Sequence, residues 1–368
     1  MKIRELATPA ILLDTDQLKR NMERFHGAAM EHQKQIWPMT KTHKSTRIAR
    51  MQLESGVTGF LCGTLDECEA FAALGAPIMY AYPPAGMRSL ERVIRLAKGC
   101  ELILRLDGEE GARAINAAAE RAGLTIGYTV IVDAGLHRFG VAPEKVGDFV
   151  KSLARYESLR WRGISTHPGQ VYTAEGPEEV GRYLQEERSA VNTALASLKA
   201  QGLLPEIVSS GATPTHEAMC ADSALTVTHP GNYVFLDAIQ MSMGIAKEED
   251  CALRVLATVI AHPAEDRYII DAGAKCLGLD QGAHGKSSVK GFGHIVGHPE
   301  LTLYSLSEEV GKIHAEGNCT LKVGDQIQII PNHSCSSANC TSLYMAVSGE
   351  TVLGEIAVDV RGNSNTRL

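Results

Sequence analysis

From Pro9 to Asp237 short apolar runs alternate with amphipathic stretches. Ala10-Ile11-Leu12-Leu13 predicts a buried strand. Leu18, Met22 and Phe25 then recur at helical spacing behind Asp14-Thr15-Asp16, whose side-chain oxygens suit a helix N-cap. Further strands are predicted over 59–62, 78–82, 102–106, 126–132, 161–165 and 206–209. Helices fall between them around Ile48, Met51 and Leu53 and over 65–74, 90–97, 112–122, 145–153 and 182–198, with Gly56, Gly75 and Gly99 as stop signals. An eighth strand is expected near Tyr233-Val234-Phe235. Strict alternation implies parallel strands with right-handed crossovers. Eight such units in about 230 residues predict an α/β fold, a (β/α)8 TIM-like barrel over 9–240. An open doubly wound sheet is the alternative, but no Gly-x-Gly-x-x-Gly follows the first strand. Beyond Ile245 the texture changes. Short apolar runs at 253–261, 268–270, 301–303, 326–330, 343–347 and 352–358 predict a C-terminal β-domain over 245–368 without a convincing helix, joined by residues 1–8.

Composition narrows the function classes. Hydrophobic residues make up 44% and charged residues 21% of the 368, as in a globular chain. Net charge is −7 and no long Lys/Arg run occurs, which argues against gripping a nucleic acid. No apolar stretch approaches the roughly 18–20 residues of a membrane span. The start, Met1-Lys2-Ile3-Arg4-Glu5, lacks the apolar core of a signal peptide. Nine scattered cysteines fit reduced thiols better than a disulfide framework, so a cytoplasmic enzyme is expected.

A barrel places chemistry where its strands end. Ahead of the strand predicted over 59–62 comes Thr40-Lys41-Thr42-His43-Lys44 in a strand-to-helix turn, where a lysine near other cations can form an imine. Asp133-Ala134-Gly135-Leu136-His137-Arg138 follows the fifth strand, and His167-Pro168-Gly169-Gln170-Val171-Tyr172 the sixth. Ser210-Gly211-Ala212-Thr213 follows the seventh and offers hydroxyls and backbone N–H groups suited to a phosphate. Pro230-Gly231-Asn232-Tyr233 comes next. In the β-domain, His333 and Cys335 lie two apart; on an extended segment they share one side and suit a borderline-soft cation.

In order along the chain, Pro-x-x-Lys-Thr-His-Lys at Pro38, Asp-x-Gly-x-x-Arg-x-Gly-Val at Asp133, Thr-His at Thr166 and Gly-x-Thr-Pro-Thr at Gly211 form a recognisable series. Pro-Gly-Asn-Tyr-Val-Phe at Pro230, Asp-Ala-Gly-x-Lys at Asp271, Leu-Ser-Glu-Glu at Leu306 and Pro-Asn-His-x-Cys at Pro331 complete it. The series resembles the metal-activated pyridoxal-phosphate enzymes related to alanine racemase. D-threonine aldolase, D-serine dehydratase and D-threo-3-hydroxyaspartate dehydratase are members. The resemblance implies pyridoxal 5'-phosphate bonded to Lys41, with His167 and Tyr172 beside its ring and Arg138 as an active-site cation. It puts Gly211, Ala212, Thr213, Asn232 and Tyr233 around the phosphate. It makes His333 and Cys335 the ligands of a divalent metal, zinc first, with manganese or magnesium as alternatives. It also implies a homodimer acting on a small D-amino acid, with no nucleic-acid or membrane partner. Cys335 tilts the expected reaction toward D-serine-dehydratase-type β-elimination. D-threonine-aldolase-type retro-aldol cleavage is the alternative, and racemisation a further one. Met39 and Val310 stand where the family commonly has histidines, Ala212 where it has serine, and Ser336-Ser337-Ala338 where Pro-Thr-Val is common.

Overall fold

Eight short parallel strands form one sheet. They are β2 (Gln35–Ile36), β3 (Phe60–Cys62), β4 (Ile78–Tyr80), β5 (Leu102–Leu106), β6 (Ile126–Val132), β7 (Leu159–Thr166), β8 (Ile207–Ser210) and β9 (Val227–Thr228). A computed structural model describes residues 1–283, 286–317 and 319–361. The strand order is β2-β9-β8-β7-β6-β5-β4-β3. The two ends meet: Leu61 N–H donates to the Pro38 carbonyl at 3.0 Å, and Met39 bridges Leu61 in parallel. The sheet is therefore a closed barrel. Trp37, Leu61, Met79, Ile103, Ile207 and Val227 plug its interior. Phe60, Phe71, Ile115 and Leu198 belong to the larger apolar layer between strands and helices. Strands covered on both faces read as continuous apolar runs, which is why β5 is buried at every position. With the interior filled, only the rim at the strands' C-terminal ends is left for a ligand.

The first predicted strand lies elsewhere. β1 (Ala10–Asp14) pairs antiparallel with β10 (Leu253–Ala264), Leu13 opposite Leu253, and parallel with the strand Leu343–Ser348. The barrel starts at β2, and the eighth strand is β9 rather than the segment near Tyr233. Asn232–Val234 is a 3-10 turn. An apolar run such as Ile11-Leu12-Leu13 suits either sheet, and periodicity carries no information about the partner. The mainly antiparallel second sheet also holds β11 (Arg267–Ile270) and the strands Leu301–Leu306, Gly311–Ala315, Gln326–Ile330 and Thr351–Ala357. Ile3 N–H donates to Glu350 C=O at 3.0 Å, tying the N-terminus to this domain. Two helices interrupt it, Ala274–Leu277 and Ser334–Asn339, where only strands were expected.

The helix Thr15–Glu31 joins the halves. Asp14 caps it by accepting from the N–H groups of Asp16 and Gln17, both at 2.9 Å. Its inward positions Leu18, Met22 and Phe25 share a core with Tyr233, Leu253, Tyr268 and Tyr344. Among the described residues no helix is long and apolar enough to cross a membrane.

Three buried histidines outside the rim make stability depend on acid. His26 bonds the Tyr233 hydroxyl through Nε2 at 2.7 Å, and His216 bonds the Phe25 carbonyl through Nε2 at 2.8 Å. Ser45 N–H donates to His43 Nδ1 at 3.1 Å. Burial pushes each of the three from 6.5 down to about 4. Their stabilising contribution is present above pH 6.5 and is lost as pH falls toward 4, at about 1.4 kcal/mol per pH unit per histidine. Glu187, raised to about 7 by burial, works in the opposite direction between 4.5 and 7, as does the raised Asp237, while the buried His167 and His229, lowered to about 3, add to the three. Urea unfolding of the protein should show stability falling from pH 6.5 downward. A flat profile to pH 5 would contradict this assignment.

Candidate active site

At the rim, loops after the barrel strands and the helix Ser334–Asn339 enclose a cavity of about 500 Å³. Lys41 lines it from the 3-10 turn Thr40–Thr42 that follows β2. Among the described residues no carboxylate forms an ion pair with Lys41. Lys44, three residues on, is bound elsewhere: its Nζ lies 2.9 Å from Glu67 Oε1, with both side chains at most 2% exposed. The same carboxylate accepts from Thr40 Oγ1 at 2.6 Å and Gly63 N–H at 2.8 Å. Glu67 thus fastens the chain on both sides of Lys41. The pair of lysines visible in the sequence divides into one structural cation and one that reaches the cavity.

His167 and Tyr172 line the same cavity, with ring centroids 6.4 Å apart. His167 Nδ1 lies 2.8 Å from the Gly211 carbonyl, so that nitrogen carries the proton and donates. Burial, followed by the nearby Lys41 charge, pushes His167 down to about 3. Thr213 N–H donates to the Tyr172 hydroxyl at 3.2 Å, leaving that hydroxyl's own proton for another acceptor. Arg138 is exposed at the mouth, its guanidinium 4.5 Å from the Phe139 ring and 5.6 Å from that of Tyr82.

The loops after β8 and β9 meet backbone to backbone. A Cβ on Gly211 would fall 2.5 Å from the His229 backbone, so glycine is required there. Ala212 and Asn232 line the cavity beside it. Asn232 Nδ2 donates to Asp237 Oδ2 at 2.7 Å and Ser334 Oγ at 2.8 Å, while its Oδ1 is buried without a partner. Thr213 Oγ1 is likewise enclosed, on the same residue whose N–H meets the Tyr172 hydroxyl. Tyr233 departs from the expectation. Its side chain is fully buried in the other domain's core, and its hydroxyl accepts from Gln52 Nε2 at 2.8 Å and meets His26. A phenol that large is stable there because both hydroxyl contacts are met away from the cavity.

His333 and Cys335 face the cavity, but not from an extended segment. His333 (φ −129°, ψ 100°) is the N-cap of the helix Ser334–Asn339, so Cys335 sits in its first turn. Asp237 Oδ2 accepts from Ser334 N–H at 2.9 Å and so ties this turn to the loop bearing Asn232. Cys335 Sγ lies 3.2 Å from Thr42 Oγ1. Burial alone would raise the thiol, but His333, Lys41 and Thr42 bring it below its ordinary value. Burial likewise opposes charge on His333, yet Cys335 and Asp280 hold it well above 6.5. Asp280 Oδ2 is 3.6 Å from His333 Nδ1. Imidazole and thiolate make a donor pair suited to a borderline cation. Among the described residues no group of three His, Cys, Asp or Glu side chains is placed to hold a metal.

The cavity also gathers residues that sequence reasoning passed over. Arg105 was visible as a lone charge in Leu102-Ile103-Leu104-Arg105-Leu106. His229 precedes the Pro-Gly-Asn motif, and Asp237 and Asp280 line the side nearest His333. Nothing in their spacing set those two acids apart.

Residues 13–238 match the family model described as "Alanine racemase, N-terminal domain". The chain belongs to this family. Residues 252–347 of this alanine racemase family member match the model described as "Putative serine dehydratase domain". The family is pyridoxal-phosphate-dependent. The chain is 30% identical over 362 residues to D-threo-3-hydroxyaspartate dehydratase of a Delftia species, covering 94% of this chain and 95% of that one. D-threonine aldolase of Filomicrobium marinum superposes with a TM-score of 0.89 at 25% identity, covering 99% and 98% of the two chains. A D-threo-3-hydroxyaspartate dehydratase carrying a cysteine-to-alanine mutation, solved in the metal-free form, superposes at 0.88 with 29% identity, covering 97% and 99%.

The residues present fit the family's cofactor. The cavity offers a lysine that forms no ion pair with a carboxylate among the described residues and a Tyr172 hydroxyl proton left over, and a buried Thr213 hydroxyl follows the lining residues Gly211 and Ala212.

Proposed function

We propose that this family member is a pyridoxal-phosphate- and metal-dependent lyase acting on D-3-hydroxy amino acids. Its lead reaction is β-elimination of water, giving a 2-oxo acid and ammonia. One observation carries the reading: the imidazole–thiol pair His333 and Cys335 shares a single cavity with Lys41, with Cys335 Sγ 3.2 Å from the hydroxyl of Thr42, the next residue after Lys41. Lys41 is the residue to bond the cofactor aldehyde and then, as a free amine, to remove the substrate Cα proton. Pyridoxal phosphate, when bound, supplies an electron sink for the electrons left at Cα. His167 and Tyr172 would lie beside the ring, and Gly211, Ala212, Thr213 and Asn232 would hold the phosphate. Arg138, at the mouth, draws in the substrate carboxylate. His333 and Cys335 would hold a divalent cation, zinc in our reading, which supplies Lewis acidity to the β-hydroxyl, a poor leaving group without it. Retro-aldol cleavage to glycine and an aldehyde is the second reading, favoured by the likeness to D-threonine aldolase. The assembly we propose is a homodimer in the cytoplasm. Leu279, on the cavity's rim and 65% exposed, is a position that a second chain would cover.

The test is product analysis. Metal- and cofactor-loaded protein incubated with D-serine, D-threonine and D-3-hydroxyaspartate should release a 2-oxo acid and ammonia, identified by mass spectrometry. Glycine with an aldehyde as the only products would replace elimination by cleavage. Mere inversion at Cα would exclude both.

A further inference from the structure

Arg105 extends from β5 into the barrel and lies just above the apolar plug, where it is 3% exposed and lines the cavity. Its Nε donates to Ser165 Oγ at 2.8 Å, and Thr129 Oγ1 donates to the same oxygen at 3.0 Å. Its Nη2 is enclosed without a hydrogen-bond partner among the described residues. Among the described residues no carboxylate forms an ion pair with it. The charged or titratable groups that feel it are Tyr82, Arg138, His167 and His229.

None of these supplies a negative charge. Arg138 is a second cation. His229 Nδ1 donates to the Trp37 carbonyl at 2.8 Å, and burial pushes His229 down to about 3, as it does His167. Both imidazoles are neutral at physiological pH. Burial lowers Arg105 itself only to about 10, so it stays charged. A buried guanidinium is unfavourable unless its fork of N–H donors meets acceptors. Here one edge is met by a serine and the rest faces a cavity whose acids, Asp237 and Asp280, are engaged with the helix that bears Cys335.

We propose that Arg105 is a binding residue for an anionic oxygen at the floor of the cavity. Two sources carry that chemistry: the ring phenolate of the bound cofactor, or the distal carboxylate of a dicarboxylic D-3-hydroxy amino acid. The proposal rests on the lyase reading above.

The experiment compares wild-type holoenzyme with Arg105→Met and Arg105→Lys in three measurements. They are the visible spectrum of the bound cofactor against pH, the affinity for pyridoxal phosphate, and KM for D-3-hydroxyaspartate against KM for D-serine. If the phenolate is the partner, Arg105→Met shifts the spectrum and weakens cofactor binding by about tenfold or more, with Arg105→Lys intermediate. If the distal carboxylate is the partner, spectrum and affinity hold. KM for D-3-hydroxyaspartate then rises about tenfold or more while that for D-serine stays put. Either result supports the proposal. Spectrum, affinity and KM ratio all within about twofold of wild type overturn it. Should the methionine variant fail to fold, the charged lysine variant is read by the same criteria, because a shorter ammonium cannot reproduce the fork. A wild-type protein that takes up no pyridoxal phosphate overturns the lyase reading itself, a result distinct from unaltered variants of a loaded wild type.

Discussion

Lys41→Ala should give a colourless protein with turnover lowered by about a thousandfold or more, because in the proposed mechanism one side chain would both bond the cofactor and move the Cα proton. The competing lysines are excluded on physical grounds. Lys44 is enclosed and held 2.9 Å from Glu67, so freeing its amine would leave a buried carboxylate uncompensated. Lys275 is paired on the surface with Glu309 at 2.5 Å, outside the cavity. Borohydride reduction of the yellow wild-type protein, followed by peptide mapping, should place the pyridoxyl group on Lys41. A label on Lys44 or Lys275 would reject the assignment.

Exhaustive chelation should reduce turnover by about two to three orders of magnitude while the yellow colour persists. In our reading cofactor and cation would be held by different parts of the chain. The residues proposed for the cofactor sit on the barrel loops, whereas His333 and Cys335 come from the start of the helix Ser334–Asn339. Cys335→Ala should behave like chelation. Cys335→Asp should move the preference from zinc toward manganese, since a carboxylate oxygen is a harder donor than a thiolate. Elemental analysis of each variant, alongside activity with added Zn²⁺ or Mn²⁺, reads the result. Full activity in chelated protein free of metal would remove the cation from the mechanism and favour racemisation.

The barrel could be read from the chain because its signals are local. Each strand buried on both faces is an apolar run, and each helix carries its own period and stop. Six of the eight barrel strands, β3 to β8, could be placed without knowledge of distant contacts; β2 and β9, of two residues each, carry no such run. The same holds for Lys41, His167, Tyr172 and the Gly211 loop, which follow strand ends and reach the rim as a consequence of the fold. Cys335 and His333 also reached the cavity. The extended backbone that motivated the pairing is absent, and a helix cap places them together instead.

Other features were settled by partners far away in sequence. Ile11-Leu12-Leu13 is apolar in any sheet; the antiparallel pairing with Leu253 to Leu256 assigns it to the second domain. Tyr233 sits one residue from a cavity-lining asparagine, yet its phenol turns to His26 and Gln52, because 3-10 geometry sends neighbouring side chains in different directions. Lys44 and Lys41 are indistinguishable as residue types, and a glutamate 23 positions after Lys44 in the chain neutralises only one of them. Arg105 is conspicuous in an apolar strand, but its lack of a counter-charge appears only when the neighbours across β6 and β7 are in place. The sequence alone determines the succession of elements, since hydrophobic period and turn chemistry act over a few residues. Which charges are neutralised and which are left facing the cavity depends on contacts between residues tens to hundreds of positions apart, and only the tertiary structure decides that.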